Sequence, residues 1–184
     1  YEWRWHLERN PPRKFPIPRW QGEDLKNKTI LIFQEQGFGD MIQFSRFIPS
    51  VKKLGATITL EVQKELFQLF SKLEGADKVI VRDTNNENYD FCIPMMSLDK
   101  ILNINITTIP KKFPYFKVQK TNLRLTNSKP EKTKRIGIVW AGKPSHKNDK
   151  NRSCDLKEFM PLLEIPQLSI YSLQKGKKES QIHD

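Results

Sequence analysis

The chain has 184 residues, 37% of them apolar, and a mean hydropathy of −0.64. This length suffices for one domain and part of a second, at roughly 100–200 residues per domain. Eleven Phe and four Trp supply bulk for a packed core, which excludes a chain that is disordered by composition. No run of apolar residues approaches the roughly 18 of a membrane span. Cys92 and Cys154 fit neither a disulfide framework nor a zinc pattern, so a reducing, cytoplasmic setting is expected.

The net charge of +11 is concentrated in one segment. Residues 111–157 contain fourteen Lys and Arg and three Asp and Glu, a difference that equals the net charge of the whole chain. Such a segment suits phosphorylated ligands, nucleic acid or an anionic membrane surface, or it is simply a solvated linker. Its cations are interrupted by Pro and Asn and lack an array of stacking aromatics, so we expect no nucleic-acid partner and at most peripheral membrane contact.

The chain starts with a lead-in segment, residues 1–22, that is rich in Pro, Arg and aromatic residues. Proline favours extended, non-helical backbone, so this segment is predicted to lie across the surface of a domain with its three Trp packed. Its first residue is Tyr1, and we expect the chain to begin inside a longer polypeptide.

Strands and helices alternate over residues 23–116. Apolar, β-rich runs predict strands at 29–33, 57–62, 78–81 and 90–94. Apolar residues at helical spacing predict helices over 40–53, kinked by Pro49, and over 64–73, with Gly55 and Gly75 as stops. Consecutive parallel strands need crossover connections, so the alternation predicts a parallel sheet flanked by helices.

The same rhythm restarts after a Pro-, Asn- and Lys-rich stretch, of which residues 117–134 are predicted to be a basic linker. A strand is predicted at 135–140, a helix at 156–163 opened by a capping box of Asp155 and Glu158, and a strand at 168–172. Residues 135–184 therefore predict the beginning of a second domain that this chain does not complete.

The junction between the first strand and its helix, residues 34–40, contains Gly37, Gly39 and Asp40. Glycines there allow a ligand to approach the backbone. A dinucleotide would fit Glu61 as a ribose ligand, but position 42 is Ile42 rather than the third glycine, and Asp40 would repel a pyrophosphate. The second alternative is a sugar acceptor, with Asp40 as the general base. The third is that Asp40 only caps the helix.

Several runs resemble a known family. They are Glu35-Gln36-Gly37-Phe38-Gly39-Asp40-Met41-Ile42-Gln43-Phe44-Ser45-Arg46, Tyr1-Glu2-Trp3-Arg4-Trp5, Ile109-Pro110 with Pro114-Tyr115, Gly137-Ile138-Val139-Trp140-Ala141-Gly142 with His146, Asp149, Asn151, Arg152 and Ser153, and Ser172-Leu173-Gln174-Lys175-Gly176. Together they resemble a bacterial family that couples tetratricopeptide repeats to a glycosyltransferase domain related to the lipopolysaccharide heptosyltransferases of glycosyltransferase family 9. The resemblance covers nearly the whole chain, which would be truncated at both ends.

The resemblance implies an α/β fold of the GT-B type. Residues 23–116 would be a Rossmann-like acceptor domain with a parallel sheet, and residues 135–184 the first βαβ portion of a Rossmann-like nucleotide-sugar domain. It also implies a metal-independent, inverting glycosyltransferase that needs no cofactor, and the absence of a D-x-D pair agrees with this. Its partners would be a nucleotide-sugar, a saccharide or other hydroxyl acceptor, and proteins bound through upstream repeats. The setting would be cytoplasmic, with any contact with the inner membrane peripheral.

The resemblance also assigns candidate site residues. Asp40 would be the catalytic base, and Lys150 or Arg152 would contact donor phosphates. Ser153 would lie beside them, and His146 would either line the donor site or cap a turn. The acceptor-binding candidates are Gln36, Gly37, Gly39, Gln43 and Arg46.

The chain departs from the family pattern in two places. The later donor-binding motifs have no counterpart, and no repeats precede Tyr1. The isolated chain is therefore expected not to transfer sugar. The alternative function is a non-catalytic carbohydrate-binding or scaffold module associated with the repeats.

Overall fold

A computed structural model describes residues 2–7, 13–82, 88–116 and 134–183. The chain divides into two compact units, Tyr1–Lys120 and Thr121–Asp184. Nearly all of the predicted basic linker lies outside the described residues.

The described part of the first unit contains a four-stranded, all-parallel sheet. Its strands are β1 (Thr29–Phe33), β2 (Thr57–Val62), β3 (Lys78–Val81) and β4 (Phe91–Pro94). Their order is β3-β2-β1-β4, so the chain moves outward from β1 to β3 and then returns to the other side of β1. The predicted mixed α/β fold with a parallel sheet is confirmed.

Strand β1 is buried on both faces, as its continuous apolar run predicts. Ile30 and Ile32 are fully buried in the main core between the sheet and the helices. Leu31 and Phe33 point to a second, smaller cluster, in which Phe15 and Ile17 of the lead-in segment pack against them. The lead-in segment thus covers a face of the sheet that would otherwise expose apolar side chains to water.

The helices of the first unit are shorter than predicted. They are α1 (Phe38–Phe44), α2 (Ile48–Lys52), α3 (Phe67–Phe70) and α4 (Leu98–Ile101). Segments of 3-10 helix accompany them at Ser45–Phe47, Lys64–Leu66 and Met95–Ser97.

The predicted helix over 40–53 is interrupted in its middle. The 3-10 turn at Ser45–Phe47 separates α1 from α2, and Pro49 lies in the first turn of α2. Proline has no N–H, and its ring clashes with the carbonyl four residues earlier, which is that of Ser45. The expected kink is therefore a break in the α-helical hydrogen bonding just before Pro49.

Both predicted helix stops adopt the left-handed conformation that glycine tolerates. Gly55 has φ +89° and Gly75 has φ +95°. A Cβ on Gly75 would also lie 3.2 Å from the backbone of Pro49, so this turn packs tightly against α2.

The lead-in segment is tied to the sheet rather than merely lying across it. The segment begins with the 3-10 helix Glu2–His6. Further along, Arg19 forms a parallel β-bridge with Cys92 of β4. The Trp20 N–H donates to the Cys92 carbonyl at 2.9 Å, and the Cys92 N–H donates to Pro18. Trp20 is buried, as predicted, but Trp3 is 81% exposed, so the prediction that all three Trp pack is wrong for Trp3.

The second unit contains two parallel strands among its described residues, β5 (Lys134–Ile138) and β6 (Leu168–Ser172). Its remaining regular segments are 3-10 helices at Asp149–Asn151, Leu156–Glu164 and Lys177–Ile182. Strand β5 ends two residues before the predicted limit at 140.

The predicted α-helix over 156–163 is wrong in type. Pro161 lies inside this segment, where it removes an N–H and obstructs the carbonyl of Lys157, so the α-helical pattern is disfavoured. The predicted capping box is also wrong, because Asp155 makes no side-chain cap bond and instead accepts hydrogen bonds from Lys178 and Gln181.

Within the described residues, no helix combines the length and the apolar character needed to cross a membrane.

Candidate functional site

The loop after β1 lies where ligands usually bind in parallel sheets. Strand β1 has β2 on one side and β4 on the other, so the direction of the chain switches next to β1. In open α/β sheets, ligands bind outside the carboxyl ends of the strands at such a switch point. Residues 34–37 after β1 and Met95–Ser97 after β4 meet at this edge.

A nearly buried ion pair holds these two loops together. Arg4 of the lead-in segment donates to Glu35 at 2.6 Å, and their side chains are 4% and 10% exposed. Glu35 also accepts the Met96 N–H at 3.1 Å. Arg4 reaches the hydroxyl of Ser97 at 2.9 Å and the carboxylate of Glu2 at 2.9 Å. The lead-in segment is therefore a structural part of this edge.

The two glutamates of this network have opposite pKa shifts. Burial raises the pKa of Glu35, and the ion pair with Arg4 only partly offsets this effect. Burial would also raise the pKa of Glu2, but hydrogen bonds from Ser97 and Arg4 outweigh it and lower the pKa to about 2. Such shifts occur both in functional sites and in structural ion-pair networks.

Asp40 has a structural role in the first turn of α1. Its Oδ2 accepts the N–H of Gly37, the residue before the helix, at 2.9 Å. Because Gly37 has no side chain, only this half of a capping box can form. The alternative in which Asp40 is itself the N-cap is wrong, because Gly37 is the N-cap of α1 and Asp40 is the third helical residue; α1 begins at Phe38, two residues earlier than predicted. Asp40 as a whole is half-exposed, and its second carboxylate oxygen accepts no hydrogen bond from a described residue.

The loop between β1 and α1 has a strained backbone at one residue. Gln36 has φ +58°, in the left-handed region that non-glycine residues seldom occupy. A Cβ on Gly39 would meet no atom within 4 Å, so nothing within the described residues requires glycine there. Strain and open space at one turn are features that proteins retain at binding sites.

A polar cavity of about 220 Å³ lies beside this loop. Its lining comes from the lead-in segment, from the end of β1 and from the end of β3: Trp5, Arg13, Phe33, Gln34, Glu35, Gln36 and Arg82. Gln36 is the predicted acceptor residue that contributes to it.

Two other predicted acceptor residues lie elsewhere. Gln43 and Arg46 line a separate cavity of about 320 Å³, together with Phe44, Phe47, Asp99, residues 104–106 and Ile109. The Arg46 guanidinium stands 5.2 Å from the ring centre of Phe113 and 5.3 Å from that of Tyr115, and its Nε donates to the carbonyl of Gln43. The structure therefore does not unite Gln36, Gln43 and Arg46 in one pocket.

Glu61, the residue that a dinucleotide site would need, is already engaged. Both of its carboxylate oxygens accept hydrogen bonds from the guanidinium of Arg13, and the Glu61 side chain is 3% exposed. This pairing removes the acidic ribose ligand from the dinucleotide alternative.

In the second unit, the loop after β5 is fastened by its own side chains. The Ser153 hydroxyl donates to Asp149 at 2.8 Å and accepts the Gly142 N–H at 2.9 Å. His146 Nδ1 accepts the Asn148 N–H at 3.1 Å, which is the predicted turn-capping role. His146 and Ser153 therefore shape the loop that carries the predicted donor cations.

Lys150 and Arg152 are exposed at the 3-10 turn of this loop. Neither side chain makes a hydrogen bond or an ion pair with another residue of the described ranges. A short, internally fastened turn that presents two cations to solvent suits contact with a phosphate.

Gln174 connects the ends of β5 and β6. Its amide oxygen accepts the N–H groups of Trp140 and Ala141 at 3.0 and 2.9 Å, and its amide nitrogen donates to the carbonyls of Ala141 and Lys175. The residue is 5% exposed. It thereby fixes the start of the loop that carries Lys150 and Arg152.

Sequence reasoning missed the roles of Arg4, Gln34, Ser97 and Gln174. Arg4 and Gln174 lie within runs that carry the family resemblance, which was the available signal. Gln34 directly follows an apolar strand, where a polar residue marks the ligand-binding edge. Ser97 gave no local signal.

No cluster of three or more His, Cys, Asp or Glu suited to a metal ion occurs among the residues that the structure describes.

Fold and site together define a mixed α/β protein with a parallel sheet and a polar cavity beside the loop that follows β1. The chain is similar to Protein FlbA of Caulobacter vibrioides, with 23% identity over 205 aligned positions that cover 99% of this chain and 34% of that protein. The chain thus spans about a third of the length of this curated relative. No family profile matches the chain, and no solved structure matches it.

Proposed function

We propose that this chain is part of a metal-independent, inverting glycosyltransferase of GT-B architecture, in which the first unit binds a hydroxyl acceptor and the second binds a nucleotide-sugar. The observation that carries the proposal is the position of Asp40. This half-exposed residue lies in the first turn of α1, the helix that follows β1, and β1 is next to the switch point of a parallel sheet. The motif resemblance supplies the reaction class.

The proposed chemistry needs one base and one group of cations. The acceptor hydroxyl attacks the anomeric carbon of the donor while Asp40 accepts its proton, and the nucleoside diphosphate leaves with both electrons of the broken bond. Lys150 and Arg152 would stabilise the charge that develops on that diphosphate. Their exposed, unpaired state supports this role.

Asp40 can combine capping and catalysis. Oδ2 binds the Gly37 N–H, which orients the carboxylate. Oδ1 has no hydrogen-bond partner among the described residues, so it is the oxygen that would accept a proton.

The hydrogen bond from the Gly37 N–H to Asp40 Oδ2 also supports a second candidate function. If holding Gly37 is the whole role of Asp40, the domain is a non-catalytic carbohydrate-binding or scaffold module. Asp40→Asn in the full-length protein separates the two functions, because asparagine keeps an oxygen for the Gly37 N–H but cannot act as a base. We expect transfer from a panel of nucleotide-sugars to fall about 10²–10⁴-fold, with unchanged protection of β1 amides in hydrogen exchange.

Asp24→Asn is the matched control, since Asp24 also accepts a local backbone N–H, that of Lys26. It should leave transfer unchanged. Full activity in Asp40→Asn would rule out Asp40 as the base. No transfer by the parent protein with any nucleotide-sugar of the panel would support the scaffold function and contradict the catalytic one.

A further inference from the structure

The cavity beside the β1 loop contains a polar side chain that the protein itself does not satisfy. Gln34 is 5% exposed overall, yet it lines the cavity. Its side-chain amide makes no hydrogen bond to any described residue. Among the described residues, the buried side-chain atom that lacks a hydrogen-bond partner is Gln63 Oε1, so the Gln34 amide is not sealed in the core but reaches the cavity. Gln34 therefore offers both a donor and an acceptor to whatever enters the cavity.

Three charged residues line the cavity, Arg13, Glu35 and Arg82, and the first two are compensated by ion pairs. Glu35 is paired with Arg4, and Arg13 is paired with Glu61. These pairs leave the two glutamine amides, Gln34 and Gln36, as the groups best suited to neutral hydrogen bonding. An amide both donates and accepts, which matches a sugar hydroxyl.

The size of the cavity restricts its occupant. A volume of about 220 Å³ is below the range of about 300–1,000 Å³ found for drug-sized ligands. Trp5 and Phe33 also line the cavity, and an aromatic ring suits the C–H face of a sugar ring. A single ring fits these limits better than a nucleotide or an oligosaccharide.

We propose that this cavity binds one neutral pyranose ring, with Gln34 and Gln36 hydrogen-bonded to its hydroxyls and the lead-in segment as one wall. This inference rests on the proposed function, for which the ring would be the terminal residue of the acceptor. The lead-in segment, through Trp5 and Arg13, is then part of the binding site and not only a connection to upstream chain.

Binding can be measured without any transfer reaction. Saturation-transfer NMR on the 184-residue chain would use methyl glycosides of glucose, galactose, mannose and N-acetylglucosamine as neutral probes. Glucose 6-phosphate and glucuronate would be the anionic probes. We expect at least one neutral glycoside to bind, and to bind more tightly than either anionic sugar. Binding of the anionic sugars alone, or of none of the probes at millimolar concentration, would overturn the proposal.

Two variants locate the binding. Gln34→Met keeps the side-chain length and removes the amide, and it should weaken the bound glycoside about tenfold. Gln36→Ala changes an exposed residue, so it tests the same cavity if Gln34→Met fails to fold, and a similar weakening is expected. Gln68→Met, on the exposed side of α3, is the matched control and should change nothing. Unchanged affinity in Gln36→Ala and in a folded Gln34→Met would place binding elsewhere and sink the inference.

The outcome is separable from that of the proposed function. If glycoside binding depends on Gln34 but the full-length protein transfers no sugar, the sugar-binding cavity is supported and the proposed glycosyltransferase function is contradicted. Transfer that depends on Asp40 but is indifferent to Gln34 and Gln36 would do the reverse.

Discussion

The two loops that carry the motif residues are built on opposite electrostatic principles. At the end of β1, the charged residues are paired within the first unit: Arg4 with Glu35, and Arg13 with Glu61. After β5, neutral groups such as Gln174 and Ser153 fasten the loop, and its cations Lys150 and Arg152 stay exposed.

This difference indicates which charges belong to the fold and which are available for ligands. Buried, compensated charges contribute little attraction for an external anion, because their fields largely cancel within a few ångströms. Exposed and unpaired cations keep their charge for a ligand. The first unit is thus suited to a neutral ligand, and the loop of the second unit to an anionic one.

The largest test of the comparison is the removal of a buried charge. Arg4→Met leaves Glu35 buried without its cation, and breaking a buried pair typically costs about 3–5 kcal/mol. We expect a loss of that size in the free energy of unfolding of the first unit, measured by hydrogen exchange of β1 amides under denaturant.

Lys53→Ala is the control for Arg4→Met. Lys53 is an exposed cation of the same unit, so its removal should change the stability by no more than about 0.5 kcal/mol. A loss below about 1 kcal/mol in Arg4→Met would mean that the lead-in segment is not held by this pair.

Removal of the neutral Gln174 amide tests how the loop of the second unit is held in place. Gln174→Ala leaves the buried N–H groups of Trp140 and Ala141 without their acceptor, so we expect a loss of about 2–3 kcal/mol in the second unit. Hydrogen exchange of β5 and β6 amides measures it, and the exposed Gln167→Ala is the control. A cost as small as that of the control would show that water replaces the Gln174 amide.

Acid should weaken the first unit through Glu2. Its pKa is lowered from 4.5 to about 2, so the unfolded chain binds the proton more readily and stability falls as the pH decreases through this interval. The stabilisation is complete above pH 4.5 and is lost toward pH 2. The raised pKa of Glu35 acts in the opposite sense, because ionisation of that residue opposes folding as the pH rises.

Glu2→Gln should flatten the acid limb of the stability–pH curve of the first unit. Urea unfolding at a series of pH values between 2 and 6 measures the slope for the variant and the parent chain. Parallel slopes for the two proteins would show that the network around Ser97 does not control this titration.

The sequence predicted the sheet much better than the helices. Strand β1, Thr29–Phe33, is a continuous apolar run, which is a local signal of burial on both faces. The other strands of the first unit are short runs rich in apolar or β-branched residues, which also marks them locally. Helix type was less readable, because Pro49 and Pro161 alter hydrogen bonding in patterns whose apolar spacing is still helical.

The candidate site could be located but not assembled from the sequence. The glycine-rich loop after β1 marked its position, but Arg4 and Ser97 bond across 93 residues of chain, and no local pattern reports such a contact. Gln43 and Arg46 appeared to belong with Gln36 because they share one motif. The helical turns of α1 and the following 3-10 segment carry them to a different cavity.

The variant with the smallest expected effect on stability tests whether the loop after β5 binds phosphate. Lys150→Ala with Arg152→Ala removes two exposed cations that hold no other described residue, so unfolding of the second unit should change by no more than about 0.5 kcal/mol. In the full-length protein, the same pair of changes should weaken the binding of nucleoside diphosphates, measured by calorimetry with UDP, GDP and ADP, by tenfold or more. The control is Lys53→Ala with Lys64→Ala, two exposed lysines of the first unit, which should leave the binding unchanged. Equal nucleoside diphosphate binding by the double variant and the parent would mean that Lys150 and Arg152 do not contact the phosphates. The two loops would then differ in how their residues pack, and not in the kind of ligand that they attract.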